Sequence, residues 1–437
     1  MTDAAGSHTL GRWLRDRAAS DGGRIAIDDR GVRTDYRTLH VRAAALADAL
    51  AAAGYGAGDR VATVSGNSTD HVVAFFACAL SGIAFVPLSW RLTPGELSSL
   101  MTRTAPALLL VEDEHDALAR TAVESGGLDA PRALLGAAGV ESAVPAAREV
   151  RAPRPPRDDD PLLIIYTSGS EAAPKGVVLT HANCFWNNLA LGQAMPITAD
   201  DVVLSILPQY HVAAWNVQPL LAWWHGATVV LERSFDPGRV LQLLADRRVT
   251  TMMGVPTQYR MLMNHPAWPG ADLDSLRRVV VGGATIPDDL AAAWAQRGHP
   301  LTQGYGLTEA GPNVLHLPAA AVAQHPGAVG VPYPGVEVLL ADPHTLLPLN
   351  GAATGELWVR GPSVFAGYLH DPEATARTMQ GDWLRTGDLV SRDAAGIHRI
   401  VDRLKEIFVS GGENIAPAEV EGALAEHPLV ADCAVVG

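Results

Sequence analysis

The feature that most constrains the fold is a repeated alternation of short apolar runs with amphipathic segments of helical spacing. Leu39, Leu46 and Leu50 lie on one helical stripe that ends at Gly54, and the strand-like run "DRVATVSGN" follows it. The same alternation recurs in "HVVAFFACALSGIAFVPL", in "DVVLSILP" and in "LRRVVVGGATIP". The pattern predicts an α/β protein whose helices are layered on largely parallel sheets.

The length of 437 residues exceeds the size at which a single hydrophobic core stops growing, so we expect several subdomains. The stretch "VPAAREVRAPRPPRDDD", from Val144 to Asp160, is rich in proline and mixed charge. It predicts a surface connector between two α/β subdomains. After about Pro326 the helical patterns thin out, and strand-like runs with Gly/Pro turns predict a smaller β-rich subdomain.

The last part of the chain carries a helix that begins at Pro417 and one strand-like run that stops at Gly437. Since about 35 residues rarely fold alone, the sequence predicts an incomplete α+β domain at this end. We therefore expect one large domain over residues 1–401 and the start of a second, smaller domain over residues 402–437.

Composition limits the ligands and the compartment. The formal net charge is −14, and nucleic acids and anionic membranes are bound through basic faces, so we expect neither as a partner. No window approaches 18 uninterrupted apolar residues, and Cys78, Cys184 and Cys433 lack CxxC spacing. The sequence predicts free thiols and a cytoplasmic protein without a membrane span.

The stretch "YTSGSEAAPKG", from Tyr166 to Gly176, follows the apolar run "PLLII" and joins small hydroxyl side chains to a glycine and a lysine. It is not the G-x-x-x-x-G-K-[ST] nucleotide loop, because Pro174 stands at the second glycine and Gly176 replaces the Ser or Thr after Lys175. Its hydroxyls, amides and ammonium group are nevertheless suited to anionic oxygens.

Four further stretches carry more glycine and polar residues than packing requires: "VVVGGATIP", "QGYGLTEAG", "DWLRTGDLV" and "DRLKEIFVSGGENIAPAEVE". Each is weak alone, since Gly-Gly after a strand is more often a turn than a ligand contact. In this order, and together with "YTSGSEAAPKG", "LPQYHVAAWN" and "GELWVRGP", they resemble the adenylate-forming enzymes. That family includes the acyl- and aryl-CoA synthetases, peptide-synthetase adenylation domains and firefly luciferase. The resemblance runs from about Thr9 to the last residue, and its motifs are most similar to those of acyl-CoA synthetases.

The resemblance implies a large N-terminal adenylation domain and a ligase activity. A carboxylic acid would react with ATP and Mg²⁺ to give an acyl-adenylate and pyrophosphate, and the acyl group would then pass to coenzyme A. Because the carboxylate is itself the nucleophile, the protein would contribute positioning and charge stabilisation. The oligomeric state stays open between monomer and homodimer.

The resemblance also implies a set of chemically sensible ATP contacts. Tyr305 would stack on the adenine, Asp388 would accept the ribose hydroxyls, and Arg403 would assist at the ribose or phosphate. Thr308 would donate to the α-phosphate, and Glu309 would hold Mg²⁺, a hard cation that prefers carboxylate oxygen. The other implied contacts with the nucleotide and its phosphates are Thr167, Ser168, Gly169, Ser170, Lys175, Gly283, Ala284, Gln303 and Gly304.

The stretch "LPQYHVAAWN" lies where the family lines its acid pocket. His211 would sit beside the carboxylate and the α-phosphate, and Trp215, Gly282 and Gly306 would line the pocket. The alternative for Trp215 is a place in the core. Because this stretch has no acidic residue to pair an α-amine, and an unpaired buried ammonium is costly, an aryl or alkyl acid is favoured over an amino acid.

The family closes its site with a mobile lid, and Lys405 takes the hinge position of that lid. Ser410, Gly411 and Gly412 would form the loop on the coenzyme A side. The family's lid also carries a lysine near its end that this sequence does not contain. We therefore expect the chain to bind ATP, acid and adenylate far better than it turns them over.

Two positions depart from the family's phosphate loop: Glu171 and Ala172 stand where Thr and Gly are usual. Like charges ~4 Å apart repel by about 1–4 kcal/mol, so altered ATP handling is one interpretation of Glu171. Three alternatives stay open at this stage. The adenylate could pass to an acyl-carrier protein or partner enzyme, the reaction could be a luciferase-type oxidation, or the protein could bind adenylate without catalysis.

Overall fold

The computed structural model describes residues 6–135, 144–147, 149–167, 174–406, 408–410, 413–415 and 417–425, with residues 427, 430 and 433–435. Its helices are α1 Gly11–Asp21, α2 Tyr36–Ala52, α3 Thr69–Ser81, α4 Pro94–Thr104, α5 Asp116–Ser125, α6 His181–Ala194, α7 Ala213–Asn216, α8 Pro219–His225, α9 Pro237–Asp246, α10 Pro256–Met263, α11 Asp288–Gln296, α12 Pro372–Thr378 and α13 Pro417–Ala425.

The strands are β1 Ile25–Asp29, β2 Val32–Asp35, β3 Arg60–Val64, β4 Ala84–Leu88, β5 Leu108–Glu112, β6 Arg132–Leu135, β7 Pro161–Thr167, β8 Lys175–Thr180, β9 Val202–Ser205, β10 Thr228–Leu231, β11 Thr251–Gly254, β12 Arg278–Val281, β13 Leu301–Tyr305, β14 Leu315–His316, β15 Val331–Pro332, β16 Glu337–Ala341, β17 Pro348–Leu349, β18 Ala353–Arg360, β19 Gly367–Tyr368, β20 Met379–Gln380, β21 Trp383–Arg392, β22 His398–Arg403, β23 Phe408–Ser410 and β24 Glu413–Ile415.

Local sequence explains where several helices begin and end. The hydroxyl of Ser68 accepts a hydrogen bond from the backbone N–H of His71 and so caps α3. Thr93 and Glu96 form a reciprocal capping box at the start of α4. The last turn of α3 closes on Gly82, whose φ of +67° is the left-handed conformation that glycine adopts without strain.

One sheet has the strand order β19-β8-β7-β4-β3-β5-β6. Its centre is parallel, since β4 and β5 both run parallel to β3, whereas β8 returns antiparallel to β7. A second sheet has the order β15-β14-β13-β12-β11-β9-β10-β1-β2 and is parallel from β13 to β1. Neither sheet is formed by one continuous stretch of sequence. The early strands β1 and β2 belong to the second sheet, and the late strand β19 belongs to the first.

A third, curled antiparallel sheet has the order β17-β16-β18-β21-β20, with β22 paired to β21. This sheet is the predicted β-rich subdomain, and the predicted α/β fold class is confirmed. The predicted domain boundary between residues 401 and 402 falls inside β22, which stays paired with β21 as far as Arg403. The division into two domains stays a prediction.

The remaining expectations about the chain concern its connector, its thiols and its membrane contacts. From Val144 to Asp160, the described residues contain neither helix nor strand. Cys78, Cys184 and Cys433, which the structure describes, form no disulfide with one another, and the first two are buried. Among the helices of the described residues, none has the length and apolar character needed to cross a membrane.

Candidate active site

The carboxyl ends of β12 and β13 lie side by side, with Val281 paired to Gln303. Beyond β12 the chain turns through Gly283, whose φ is +83°. The side-chain amide of Gln303 donates to the carbonyl of Ala284 at 3.3 Å and accepts from the N–H of Ile286 at 3.4 Å. Gln303 thus fastens the predicted adenine loop to the neighbouring strand, where Gly304 and Tyr305 also lie.

Two predicted pocket glycines have a spatial reason to be glycine. A Cβ at Gly306 would lie 1.4 Å from the carbonyl oxygen of Pro312, which is an overlap of atoms. A Cβ at Gly282 would lie 2.9 Å from Cε of Met253. Gly306 therefore keeps its backbone close to a neighbouring segment that any side chain would push away, whereas a side chain at Gly282 would displace only the flexible end of Met253.

Tyr305, Asp388 and Arg403 form one cluster. The Tyr305 hydroxyl donates to Oδ2 of Asp388 at 2.5 Å, and Nε of Arg403 lies 3.2 Å from Oδ1. Asp388 and Arg403 are direct partners in the pairing of β21 with β22. Burial raises the pKa of Asp388, against the lowering effects of the Tyr305 hydrogen bond and the Arg403 charge. Burial and the Asp388 charge raise the pKa of Tyr305, so its phenol stays protonated and donates.

The turn that presents Asp388 is held by Glu356 of β18. Glu356 is 2% exposed and accepts from Nη2 of Arg385 at 2.8 Å and from the N–H of Gly387 at 3.2 Å. The Thr386 hydroxyl donates to the carbonyl of Leu357 at 2.7 Å. Glu356 lies in the motif "GELWVRGP", for which no individual residue role was predicted. An acid within an otherwise apolar strand was the signal that could have identified it.

Lys175, Tyr368 and Glu309 form a second cluster on the phosphate side. Lys175 begins β8 and pairs with Thr167 of β7, at the base of the predicted phosphate loop. The Lys175 ammonium lies 5.2 Å from the centre of the Tyr368 ring, and the Tyr368 hydroxyl donates to Oε1 of Glu309 at 2.8 Å. Thr308 precedes Glu309 in the same short 3-10 turn. The motifs gave no sign of Tyr368, which reaches this site through the pairing of β19 with β8.

The chemistry of this second cluster fits Mg²⁺ and phosphate. A carboxylate is the oxygen ligand that Mg²⁺ prefers, and the hydroxyl and ammonium groups beside it suit phosphate oxygens. Ser168, Gly169 and Ser170 lie outside the described residues, as do Glu171 and Ala172. Their predicted roles stay predictions.

His211 lies in the segment that follows β9, directly before α7. Its side chain is exposed, and its ring centre is 4.6 Å from that of Tyr210. The surrounding protein and the Arg91 guanidinium lower the pKa of His211, so the imidazole is neutral near pH 7. A neutral imidazole can offer one N–H to a carboxylate or phosphate oxygen.

Trp215 is fully buried, and its ring stacks on Phe75 with centroids 4.6 Å apart. Its indole N–H donates to the carbonyl of Gln209 at 2.7 Å. This packing is the core alternative for Trp215. A direct contact with the acid would require the side chain to move, and the pocket role of Trp215 stays a prediction.

A buried polar network beneath the His211 segment was missed from the sequence. Nδ1 of His71 lies 2.9 Å from Oε1 of Gln209, and its Nε2 lies 2.8 Å from the Thr63 hydroxyl. The side chain of Asn67 accepts from the N–H of Gln209 and donates to the carbonyl of Leu207. Burial lowers the pKa of His71 to about 4. A histidine in the apolar run "VVAFFACAL" of α3 was the available signal.

The residues predicted for the lid lie at the end of the described chain. Lys405 is exposed in the turn after β22, and the N–H of Leu404 in that turn donates to the carbonyl of Gly387. Ser410 ends β23, while Gly411 and Gly412 lie outside the described residues. The hinge and the coenzyme A loop stay predictions.

Comparisons with known proteins agree with this geometry. The profile of the family described as "AMP-binding enzyme" matches residues 14–369. A feruloyl-CoA synthase of Amycolatopsis sp is 40% identical over 428 residues, which cover 98% of this chain and 85% of that protein. An indoleacetate–CoA ligase of Aromatoleum aromaticum is 36% identical over 445 residues, with the same coverage. The solved o-succinylbenzoate-CoA synthetase from Bacillus subtilis, in complex with ATP and magnesium ion, superposes with a TM-score of 0.87 at 27% identity, covering 97% of this chain and 86% of that one.

The chain belongs to the AMP-binding family of adenylate-forming enzymes. Within this family it is an acid–thiol ligase of the acyl- or aryl-CoA synthetase type. The reaction joins a carboxylic acid to coenzyme A through an acyl-adenylate and uses ATP and Mg²⁺. The predicted family, activity and cofactors are confirmed.

Proposed function

We propose that the acid is an aryl acid whose acyl group carries no second charge, and that it binds between His211 and the segment after β12. The observation that carries this proposal is the lining of a cavity beside the His211 segment. That lining is apolar except for one hydroxyl and one amide, and consists of Val203, Leu204, Ser205, Ile206, Leu207, Ala213, Ala214, Gln218, Pro219 and Met253.

The absence of charge from this lining argues against dicarboxylic and amino acids. A second carboxylate or an ammonium group would enter without a partner, which costs several kcal/mol by order of magnitude. The names of the two curated relatives support an aromatic acyl group, since both the feruloyl and the indoleacetyl groups carry a ring. A flat ring also suits a narrow space between a sheet and a helix.

In this proposal each cluster has one task. Tyr305 and Asp388 hold the adenosine, and Lys175 stabilises the phosphates that leave. Glu309 would hold Mg²⁺, which supplies positive charge at the phosphate oxygens when bound. The neutral imidazole of His211 donates to the oxygen of the acid or of the α-phosphate and so orients the carboxylate for attack.

The test is a calorimetric titration with stable acyl-sulfamoyladenosines that differ only in the acyl group. Cinnamoyl and indoleacetyl analogues should bind at least tenfold more tightly than the dodecanoyl and succinyl analogues. Tighter binding of either of the latter would overturn the assignment to aryl acids. The matched control is sulfamoyladenosine itself, which reports the contribution of the nucleoside alone.

In an acyl-CoA synthetase the acyl group is transferred to coenzyme A, and transfer to an acyl-carrier protein stays the alternative. An assay of thioester formation distinguishes these two acceptors. Thioester formation from cinnamic acid, ATP and coenzyme A should proceed without any carrier protein. Formation only after a phosphopantetheinylated carrier protein is added would favour the alternative.

A further inference from the structure

Gln218 is a buried side chain with one unpaired end. It lies between α7 and α8, is 4% exposed, and donates from Nε2 to the hydroxyl of Thr251 at 2.7 Å. Among the described residues, Oε1 of Gln218 has no hydrogen-bond partner. Leaving a buried amide oxygen unpaired is costly, and native proteins rarely do so without a reason.

The same side chain lines the cavity of the proposed acid site, together with Ser205, Ala213 and Met253. Met253 connects this cavity with the adenylate loop, because its Cε lies near the position that a side chain at Gly282 would occupy. In space, Met253 therefore lies between Gly282 of the adenylate loop and the cavity that Gln218 also lines. Gln218 bonds to Thr251, which lies two residues before Met253 on β11 and therefore farther from the carboxyl end of that strand.

The cavity has about 210 Å³ of space that no atom fills, part of it open to solvent, and its interior has room for roughly one water molecule. An aromatic ring therefore requires a lining side chain to move. Met253 is suited to this, since an unbranched thioether adapts its rotamer at low cost. Gln218 is less mobile, because its bond to Thr251 holds the amide group at one place in the lining.

We propose that Gln218 is a specificity-determining residue that binds a hydroxyl group at the far end of the aryl acid. The substrate class is then a hydroxylated aryl acid, with the hydroxyl remote from the carboxylate. This inference rests on the proposed function, since it concerns the same acid site. The phenolic O–H donates to Oε1 of Gln218, which gives the unpaired oxygen its partner.

The physical reason for selectivity is the cost of an unmatched polar group. A site that is built to bind a hydroxyl rejects the analogue without it, because a buried polar atom is then left unpaired. A methoxy group in the same place cannot donate to Oε1 and adds bulk. Both analogues should therefore bind more weakly than the hydroxyl compound.

The experiment compares three sulfamoyladenosines, 4-hydroxycinnamoyl, cinnamoyl and 4-methoxycinnamoyl, by calorimetry on the wild-type chain and on variants. The wild type should bind the hydroxyl compound at least tenfold more tightly than either analogue. Gln218→Met keeps the length of the side chain and removes its amide, so it should bring the ratio of hydroxyl to unsubstituted compound close to one. Gln324→Met, the same change at an exposed position, should leave that ratio at its wild-type value.

A second variant covers the case in which Gln218→Met does not fold. Thr251→Val removes the anchor of Nε2 and should reduce the ratio about threefold, with the thermal melting curve as the check of folding. Equal affinities of the wild type for all three compounds would overturn the inference, and so would an unchanged ratio in Gln218→Met. If the dodecanoyl compound binds more tightly than all three aryl compounds, the proposed function itself fails.

Discussion

The nucleotide side and the acid side of this site are built on different physical principles. The nucleotide side uses charged groups that meet at strand ends: Asp388 with Arg403, and Glu356 with Arg385 behind them. The acid side uses neutral groups, the imidazole of His71 and the amides of Gln209 and Gln218. The nucleotide, which is common to the whole family, meets charged side chains, whereas the variable and uncharged acyl group of the acid is matched by shape and by single hydrogen bonds.

The largest expected effect is on the pair of Glu356 and Arg385, which supports the nucleotide side. Glu356→Ala removes a buried carboxylate that accepts from the guanidinium of Arg385, itself 31% exposed, and from the N–H of Gly387. Since hydrogen bonds to a charged group contribute about 1.5–3 kcal/mol, we expect the free energy of unfolding to fall by about 2–3 kcal/mol, measured by denaturant titration. Glu337→Ala, which breaks an exposed Glu–Arg pair in the same sheet, should change stability by less than about 1 kcal/mol. Equal effects of the two changes would contradict the account.

The region that is proposed to bind the carboxylic acid should make the stability of the protein depend on pH below neutrality. The pKa of His71 is lowered to about 4 in the folded protein, so between pH 6.5 and 4 the unfolded state binds more protons. Stability is therefore lost as the pH falls through this window, by up to about 3 kcal/mol for this residue. His181, at the start of α6 and outside the acid side, also has its pKa lowered to about 4 by burial and adds a similar dependence, which a change at His71 leaves in place.

The variant His71→Phe isolates the contribution of the acid side. It should lower stability at pH 7.5, because Gln209 and Thr63 lose their partner. Its stability should also fall less steeply between pH 6.5 and 4 than that of the wild type, measured by urea unfolding at several pH values. Parallel pH curves for the two proteins would show that His71 is not the group that titrates.

On the nucleotide side, Asp388→Asn removes one charge and keeps the size of the side chain. Hydrogen bonds to charged groups contribute about 1.5–3 kcal/mol, so the affinity for AMP should fall about 10- to 100-fold. Calorimetry with AMP measures this, and Asp382→Asn, an exposed acid in the turn before β21, is the control. An unchanged AMP affinity in Asp388→Asn would remove Asp388 from the ribose site.

The smallest expected effect comes from the bond between Tyr368 and Glu309. Tyr368→Phe removes the phenol that donates to the carboxylate. Because Tyr368 acts on ATP only through the carboxylate of Glu309, we expect a smaller loss than for Asp388→Asn: the affinity for ATP in the presence of Mg²⁺ should fall about fivefold, or about 1 kcal/mol. The affinity for AMP without Mg²⁺ should stay the same. A loss of equal size for both ligands would point to a general disturbance of the site.

The sequence predicted the two sides of the site unequally well, for a physical reason. The residues of the nucleotide side lie in short sequence motifs, so Tyr305, Asp388 and Arg403 were predicted together. In the structure these three side chains contact one another through Asp388. The support of this side by Glu356 and Tyr368 depends on strand pairings that no motif records.

The acid side depends on contacts between distant stretches of the chain. His71 meets Gln209 across 138 positions of sequence, and Gln218 meets Thr251 across 33 positions. Neither contact leaves a local pattern, and the unpaired oxygen of Gln218 is visible only once the packing around it is known. Trp215 was predicted as pocket or core, and its packing against Phe75 is likewise a contact that no motif records.

The central claim is that the charged side binds the adenosine and the neutral side selects the acid, independently of each other. The most direct test is to titrate the wild type and Asp388→Asn with the cinnamoyl and dodecanoyl sulfamoyladenosines. We expect Asp388→Asn to weaken both compounds at least tenfold and to leave the ratio of their affinities unchanged. A ratio that changes with Asp388→Asn, or affinities that do not fall, would contradict the account.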